Sequence, residues 1–250
     1  PLATSGDLWR DLWRPLATSG ATSGDLWRPL ATSRPSSSDL WRPLARPHVT
    51  SINRSRYLRC LLAPPDFDFG AMDNAGAVFF RDSVLLLDPE EASFEDRKRA
   101  AETITHEISL MWFGNLVTMA WWNDLWLNES FATWMACEII QQWRPDWQIW
   151  LDFAHRREEA LSIDALASSH PIAPKIRSAQ EAHENFDAIT YSKGACVLRM
   201  LEGFLGPTVF RDGIRLYMTQ HREGAASASD LWSAFAEISG LPIEDIVAPW

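Results

Sequence analysis

The 250-residue sequence predicts an α+β fold in which helices predominate, and three observations support this prediction. Two short runs between about residues 58 and 88, LRCLLAPPDFDFG and GAVFFRDSVLLLD, contain apolar and aromatic residues bounded by Pro, Gly and Asp, as short strands do. From Ser93 onward, apolar residues recur with mostly helical spacing. Strands that precede a series of helices are typical of α+β proteins.

The first long helix is predicted to begin just after Ser93. Ser93 and Asp96 resemble a capping box with Asp in place of the usual Glu, in which each side chain satisfies a free backbone N–H of the first turn. The helical pattern then continues to about Trp112, and Gly114 and Asn115 close it.

A second helix is predicted from about residue 124 to Trp143, because Pro145 lacks an N–H and ends the pattern. Ser168–Ser178, which contains two prolines, is predicted to be a loop. The remaining helical segments are predicted at about 146–167, 191–204, 208–221 and 229–239.

Residues 1–58 form a different kind of sequence, so the chain is predicted to divide into 1–58 and a folded domain at 59–250. Three related copies of 14 residues begin at Asp11, Asp25 and Asp39, each with Pro and a Ser/Thr-rich patch. Each copy has too little apolar area to offset the entropy of ordering it. We predict a disordered low-complexity segment without chemistry of its own, and a Trp/Arg tail that contacts an anionic surface is the alternative.

Charge and cysteine usage limit the functions to be considered. The net charge of −10 combines +5 in residues 1–59 (nine Arg, no Lys, four acidic residues) with −15 in the remainder. An acidic domain disfavours nucleic acid as a partner and favours cationic ligands such as free amines. No apolar run of 18 residues and no secretory signal is visible, and three distant cysteines predict no disulfide framework. We therefore expect a cytoplasmic protein with no membrane association.

His106 and Glu107 on the first long helix form an incomplete metal-binding motif. In H-E-x-x-H, two imidazoles four residues apart lie on one helical face, with the Glu beside them as a general base. Here the second His is replaced by Leu110. At 100° per residue, Leu110 lies on the face of Thr103 and His106, away from the apolar stripe, so the replacement lies in the site itself.

Four sequence blocks together carry a resemblance to a known family. They are G-A-M-D-N at 70–74, H-E followed by W-F-G-N-L-V-T at 106–118, W-L-N-E at 126–129 and Y-S-K-G-A at 191–195. In this order and spacing they resemble the aminopeptidase N family of gluzincin zinc peptidases, over about 190 residues. The resemblance implies a thermolysin-like zincin catalytic domain with a short N-terminal β portion at 59–250.

The resemblance also implies a role for each matching residue. His106 and Glu129 would be two ligands of a single Zn²⁺ ion, because Glu129 follows position 110 by the family's 19 residues. Glu107 would be the general base, and Tyr191 would donate a hydrogen bond to the oxyanion. Asp73, which stands where the family has Glu, would bind the α-amino group of the substrate. The substrate backbone would lie along residues of the same block: Gly70, Ala71, Met72 and Asn74.

The missing ligand makes zinc binding the critical question. Catalytic zinc normally takes three protein ligands and keeps one open position, and leucine has no lone pair to offer. We therefore expect zinc-dependent release of N-terminal residues from peptides, impaired by Leu110. The alternatives are an inactive pseudopeptidase that binds peptide N-termini, or a fragment without function. We also expect the family's β-rich N-terminal and helical C-terminal domains to be missing.

Four downstream histidines could supply a replacement ligand in principle. None has a partner at ligand spacing, so each is predicted to be a surface or packing residue. They are His155, His170, His183 and His221.

Overall fold

A computed structural model describes residues 60–88 and 90–250, so the repeats predicted at 1–58 lie outside the described residues. Its first sheet contains strands β1 (Cys60–Leu62), β2 (Ala71–Met72) and β3 (Ala77–Phe80) in the order β1-β3-β2. β1 runs parallel and β2 antiparallel to β3. The strand predicted for GAVFFRDSVLLLD is therefore only half correct, since the latter part of this run forms a helical turn, α1 (Asp82–Leu85).

The helical turn α1 replaces the continued strand that the sequence predicted, because its apolar residues pack together on one side. Val84 and Leu85 contact a small cluster that contains Val78, Phe80 and Met111. A helical turn brings adjacent residues to this cluster, whereas a strand would direct them alternately to opposite faces.

The first long helix, α2 (Phe94–Ser109), begins with the predicted capping box. The Ser93 hydroxyl accepts a hydrogen bond from the Asp96 N–H at 3.1 Å, and the Asp96 carboxylate accepts from the Ser93 N–H, also at 3.1 Å. The helix ends at Ser109 rather than near Trp112, because the chain turns at Leu110 and passes close to itself at Gly114. A Cβ atom at Gly114 would lie only 3.0 Å from the Leu110 carbonyl oxygen.

The second long helix, α3 (Trp126–Trp143), is the most deeply buried element of the described chain. It begins two residues later than predicted, because Trp122–Asp124 form a separate 3-10 turn, and it ends before Pro145 as predicted. Phe131 and Trp134 are fully buried and pack in a continuous aromatic series with Phe210 and Phe235. Burial of each such side chain contributes about 1.5–3 kcal/mol.

The four remaining predicted helical segments are present, with shifted ends, and the loop predicted at Ser168–Ser178 is non-helical. Two short helices, α5 (Ala179–Glu184) and α9 (Ile243–Val247), were not predicted. Tyr191 lies in a π-helical turn, Ile189–Lys193. The helices are α4 (Ile149–Asp164), α5 (Ala179–Glu184), α6 (Gly194–Leu205), α7 (Pro207–Gln220), α8 (Ala228–Ser239) and α9 (Ile243–Val247).

The helical part also contains a second sheet, which contradicts the prediction that all strands precede the helices. β4 (Val117–Met119) pairs in parallel with β5 (Gly224–Ala226), more than 100 residues later. Strands of three residues are too short to show a period of two, so no local pattern predicts them. The predominantly helical α+β class is nevertheless confirmed. Across residues 60–88 and 90–250, no helix combines the length and apolar character needed to cross a bilayer.

Candidate metal and peptide site

His106 and Glu129 meet where helix α2 packs on helix α3. The Nε2 atom of His106 lies 3.0 Å from the Oε2 atom of Glu129, although 23 residues separate them. Their side chains are only 14% and 10% exposed. The pairing raises the pKa of His106 against the opposing effect of burial. The two ligands implied by the sequence are therefore adjacent, and they contact each other directly.

Leu110 occupies the position one helical turn beyond His106. Its N–H donates to the His106 carbonyl oxygen at 3.1 Å, so the backbone is still helical at this point. The residue is 3% exposed. A hydrocarbon side chain thus lies where H-E-x-x-H would place the second imidazole.

Glu107 and Asp73 add two carboxyl groups near the His106–Glu129 pair. Glu107 is buried, its Oε2 atom has no hydrogen-bond partner in the described structure, and burial raises its pKa to about 8. Burial also raises the pKa of Asp73, and the negative charge of Glu129 acts in the same direction. The site therefore concentrates acidic groups in a poorly solvated space.

Tyr191 packs against the same pair. Its ring is stacked on that of His106, with centroids 5.8 Å apart and planes inclined by 16°. Its hydroxyl interacts electrostatically with the Glu129 carboxylate. Burial, followed by the negative charge of Glu129, raises the pKa of Tyr191, so the phenol stays protonated and remains a donor.

The G-A-M-D-N segment lies along the edge of the first sheet. Ala71 and Met72 form β2, an outer strand, while Gly70 precedes it and Asn74 follows in the turn to β3. The Asp73 carbonyl oxygen accepts a hydrogen bond from Asn115 Nδ2 at 2.9 Å, which ties this segment to the end of α2.

The four histidines that follow His106 in the sequence do not join the site. His155 is exposed, and His170 is bonded to Asp187 with 2.8 Å between Nε2 and Oδ2. The rings of His183 and His221 contact Phe186 and Tyr217 respectively. Among the described residues, no group of three His, Cys, Asp or Glu side chains could hold a metal ion.

Sequence reasoning missed two residues that hold the site together. Ser130 donates a hydrogen bond to the Thr190 carbonyl oxygen, and Asp187 accepts from the backbone of the Tyr191 turn. Asp187 carried a weak local signal, because Asp is a preferred residue just before a helical segment. Ser130 carried none, since its partner lies 60 residues away.

A helix pair with H-E on one helix and a Glu on the next, beside a short sheet, is consistent with the zincin class of peptidase, whose full motif on the first helix is H-E-x-x-H. Sequence comparison gives the family. Residues 56–250 match the peptidase family M1 domain, and the chain belongs to this family.

Several relatives support the same assignment. Aminopeptidase M1-C of Oryza sativa subsp. japonica is 43% identical over 190 residues, which are 76% of this chain and 22% of the relative. Probable aminopeptidase 2 of Sulfurisphaera tokodaii is 44% identical over 191 residues, and leucyl aminopeptidase of Saccharolobus solfataricus is 43% identical over 191 residues. These cover 76% of this chain and 24% of each relative. The chain therefore spans about a quarter of the length of the relatives it matches.

Proposed function

We propose that this chain carries an aminopeptidase-type site for peptides with a free N-terminus, in which hydrolysis is impaired by Leu110. Membership of the M1 family supports the reaction class. The observation that supports impaired hydrolysis is the position of Leu110, which is buried (3% exposed) one helical turn beyond His106.

The described residues do not fit a catalytic zinc ion with three protein ligands. His106 and Glu129 supply two donor atoms, and no third His, Cys, Asp or Glu completes a group with them in the described part of the chain. These donors instead hydrogen-bond to each other. We therefore expect zinc to bind substoichiometrically, and we derive no catalytic step through it.

The remaining groups keep the chemistry of peptide recognition. Asp73 is suited to accept the substrate's α-ammonium group in a charge-assisted hydrogen bond, with one methylene less reach than a glutamate. Tyr191 presents a protonated hydroxyl that can donate to a developing oxyanion, and Glu107, in its ionised form, would take a proton from water. The edge strand formed by Ala71 and Met72 can pair with an extended peptide through its backbone.

The decisive experiment compares the unmodified protein with Leu110→His. The zinc content of each, measured by elemental analysis after dialysis, should be well below one ion per chain for the first and close to one for the second. Hydrolysis of an aminoacyl reporter should rise in parallel. Leu110→Met, which is similar in volume and helix propensity but is not among the residues that usually bind zinc, is the matched control. Full zinc occupancy in the unmodified protein would exclude the proposal.

Peptide binding without turnover is the second candidate function, and the acidic surroundings of His106 favour it. Asp73, Glu107 and Glu129 all act electrostatically on one another across this site. Calorimetric titration with a tripeptide and with its N-acetylated form tests the candidate, because only the free amine gains from carboxylate contacts. Equal binding of both forms would exclude it, and absence of metal, turnover and binding together would leave a fragment without function.

A reducing, cytoplasmic setting is also proposed, on the basis of the three cysteines. All three are free thiols: Cys60 is exposed, Cys137 is buried and Cys196 is partly exposed. Titration of the unfolded, unreduced protein with a thiol reagent should therefore find three thiols per chain.

A further inference from the structure

Tyr191 is carried on a π-helical turn, an unusual and inherently weak support for a site residue. In Ile189–Lys193 the backbone is widened, and the Gly194 N–H donates to the carbonyl oxygen of Ile189, five residues earlier. A π-helical turn of this kind is rare and is found mostly at functional sites. Because the widened turn disturbs the regular ladder of backbone bonds, side chains from elsewhere must satisfy some of its polar groups.

Ser130 satisfies one of these groups from the helix that also carries Glu129. Its Oγ atom donates to the Thr190 carbonyl oxygen at 2.5 Å, and both residues are buried. The helices approach so closely here that a Cβ atom at Gly194 would lie 1.9 Å from Ser130 Oγ. The glycine of Y-S-K-G therefore allows the contact, and the serine fixes the turn relative to Glu129.

Asp187 holds the N-terminal end of the same turn through its N–H groups. Its Oδ1 atom accepts from the N–H groups of Ile189 and Thr190, each at 3.0 Å, and its carbonyl oxygen accepts from the Tyr191 N–H at 3.0 Å. Its Oδ2 atom is bonded to His170 Nε2 at 2.8 Å. Asp187 thereby connects the turn to the loop that follows α4.

We propose that Ser130 and Asp187 are positioning residues, which hold the Tyr191 hydroxyl against His106 and Glu129 by bonding to the backbone at the start of its π-helical turn from two sides. Neither residue touches the reacting atoms in this role, and each acts through Tyr191. The role in catalysis rests on the proposed function, but this clamp of backbone contacts does not.

Fluorine NMR of protein labelled with 3-fluorotyrosine tests the clamp without any need for metal or turnover. The chain has three tyrosines, so three resonances are expected, and Tyr191→Phe identifies the one of interest. Tyr217, buried in α7, reports on the integrity of the fold. Ser130→Ala and Asp187→Ala should each shift or broaden the Tyr191 resonance and leave that of Tyr217 in place.

Two further variants make the test specific. Ser109→Ala is the matched control, because Ser109 is equally buried and also donates to a backbone carbonyl oxygen, but within α2, so the Tyr191 resonance should stay unchanged. Asp187→Asn keeps an oxygen for the two N–H groups and should resemble the unmodified protein more closely than Asp187→Ala does.

If Asp187→Ala fails to fold, His170→Ala removes only the outer partner, whose side chain is 27% exposed, and should produce a smaller change of the same kind. An unchanged Tyr191 resonance in Ser130→Ala overturns the role of Ser130. An unchanged resonance in Asp187→Ala, or in His170→Ala where it replaces that variant, overturns the role of Asp187.

Activity provides the second measurement, in the Leu110→His background. Displacement of Tyr191 by about 1 Å should lower kcat by up to about 100-fold, with little change in KM, because the lost contact forms in the transition state. A rise in KM at constant kcat would contradict a positioning role. If Leu110→His itself shows no turnover, the proposed function fails, while the NMR result still decides whether the clamp exists.

Discussion

Replacement of Leu110 by His should make the stability of this protein depend on zinc, because it adds a third donor to a pair that is already assembled. Two ligands on a tetrahedral zinc ion, with bonds of about 2.0–2.1 Å, lie about 3.3 Å apart. His106 Nε2 and Glu129 Oε2 are 3.0 Å apart, so they need to separate only slightly. The helical bond from the Leu110 N–H to the His106 carbonyl oxygen places the new imidazole on the same face.

The expected magnitude follows from the linkage between binding and folding. A ligand that binds only the native state at 100 times its dissociation constant stabilises that state by about 2.7 kcal/mol. For a domain of this size, the midpoint of thermal unfolding moves by about 2–4 °C per kcal/mol, which gives a rise of about 5–10 °C. The unmodified protein, with two donors, should show a much smaller rise.

Thermal unfolding scans with zinc and with a chelator measure this difference directly. Leu110→Met is the control for changes in packing at a buried position. A second control, Glu129→Gln in the Leu110→His background, should abolish most of the zinc effect because a neutral amide is a poor zinc ligand. A zinc-dependent rise of equal size in the unmodified protein and in Leu110→His would refute the reasoning.

Two other predictions concern stability. Burial, and then the charge of Glu138, raise the pKa of Glu202 to about 7, so the native state retains a proton that the unfolded chain releases above about pH 4.5. Stability from this group is lost as the pH rises through 7. Glu202→Gln preserves an acceptor for Trp134 Nε1 but cannot ionise. The variant should therefore gain stability over wild type, and this gain in the free energy of unfolding should be about 1–2 kcal/mol larger at pH 8 than at pH 5. A pH-independent effect in urea titrations would count against this assignment. Gly194→Ala should cost about 1–3 kcal/mol by overpacking against Ser130, and Ser130→Gly should recover part of that loss; additive losses in the double variant would contradict it.

Local features of the sequence were predicted well where the physical cause is local. The capping box at Ser93 depends on residues three apart, and the structure confirms it. The position of Leu110 on the face of His106 depends only on the helical period, and the backbone bond between them agrees with it. The predicted end of α2 was less accurate. The helix ends at Ser109 because the chain then turns, and this turn brings Gly114 close to the Leu110 carbonyl oxygen.

Features that depend on long-range contacts were not predictable in the same way. The strands β4 and β5 are each three residues long and lie far apart in sequence, so neither has a recognisable period. The bond between Ser130 and Thr190 joins two buried residues that give no sign of each other in the sequence. The roles assigned to Asp73, Glu107 and Tyr191 stay predictions, although the structure brings all three near His106 and Glu129.

The sequence by itself determined the family, the predominantly helical class and the presence of a side chain without a donor atom at position 110, because each is written in residue type and spacing. Only the tertiary structure decided what the other two donors do. The packing of α2 on α3 brings His106 and Glu129 within hydrogen-bond distance, and the turn at Ile189–Lys193 brings Tyr191 onto them. Such contacts depend on how helices pack through their buried side chains, and this packing is a property of the whole domain rather than of any motif.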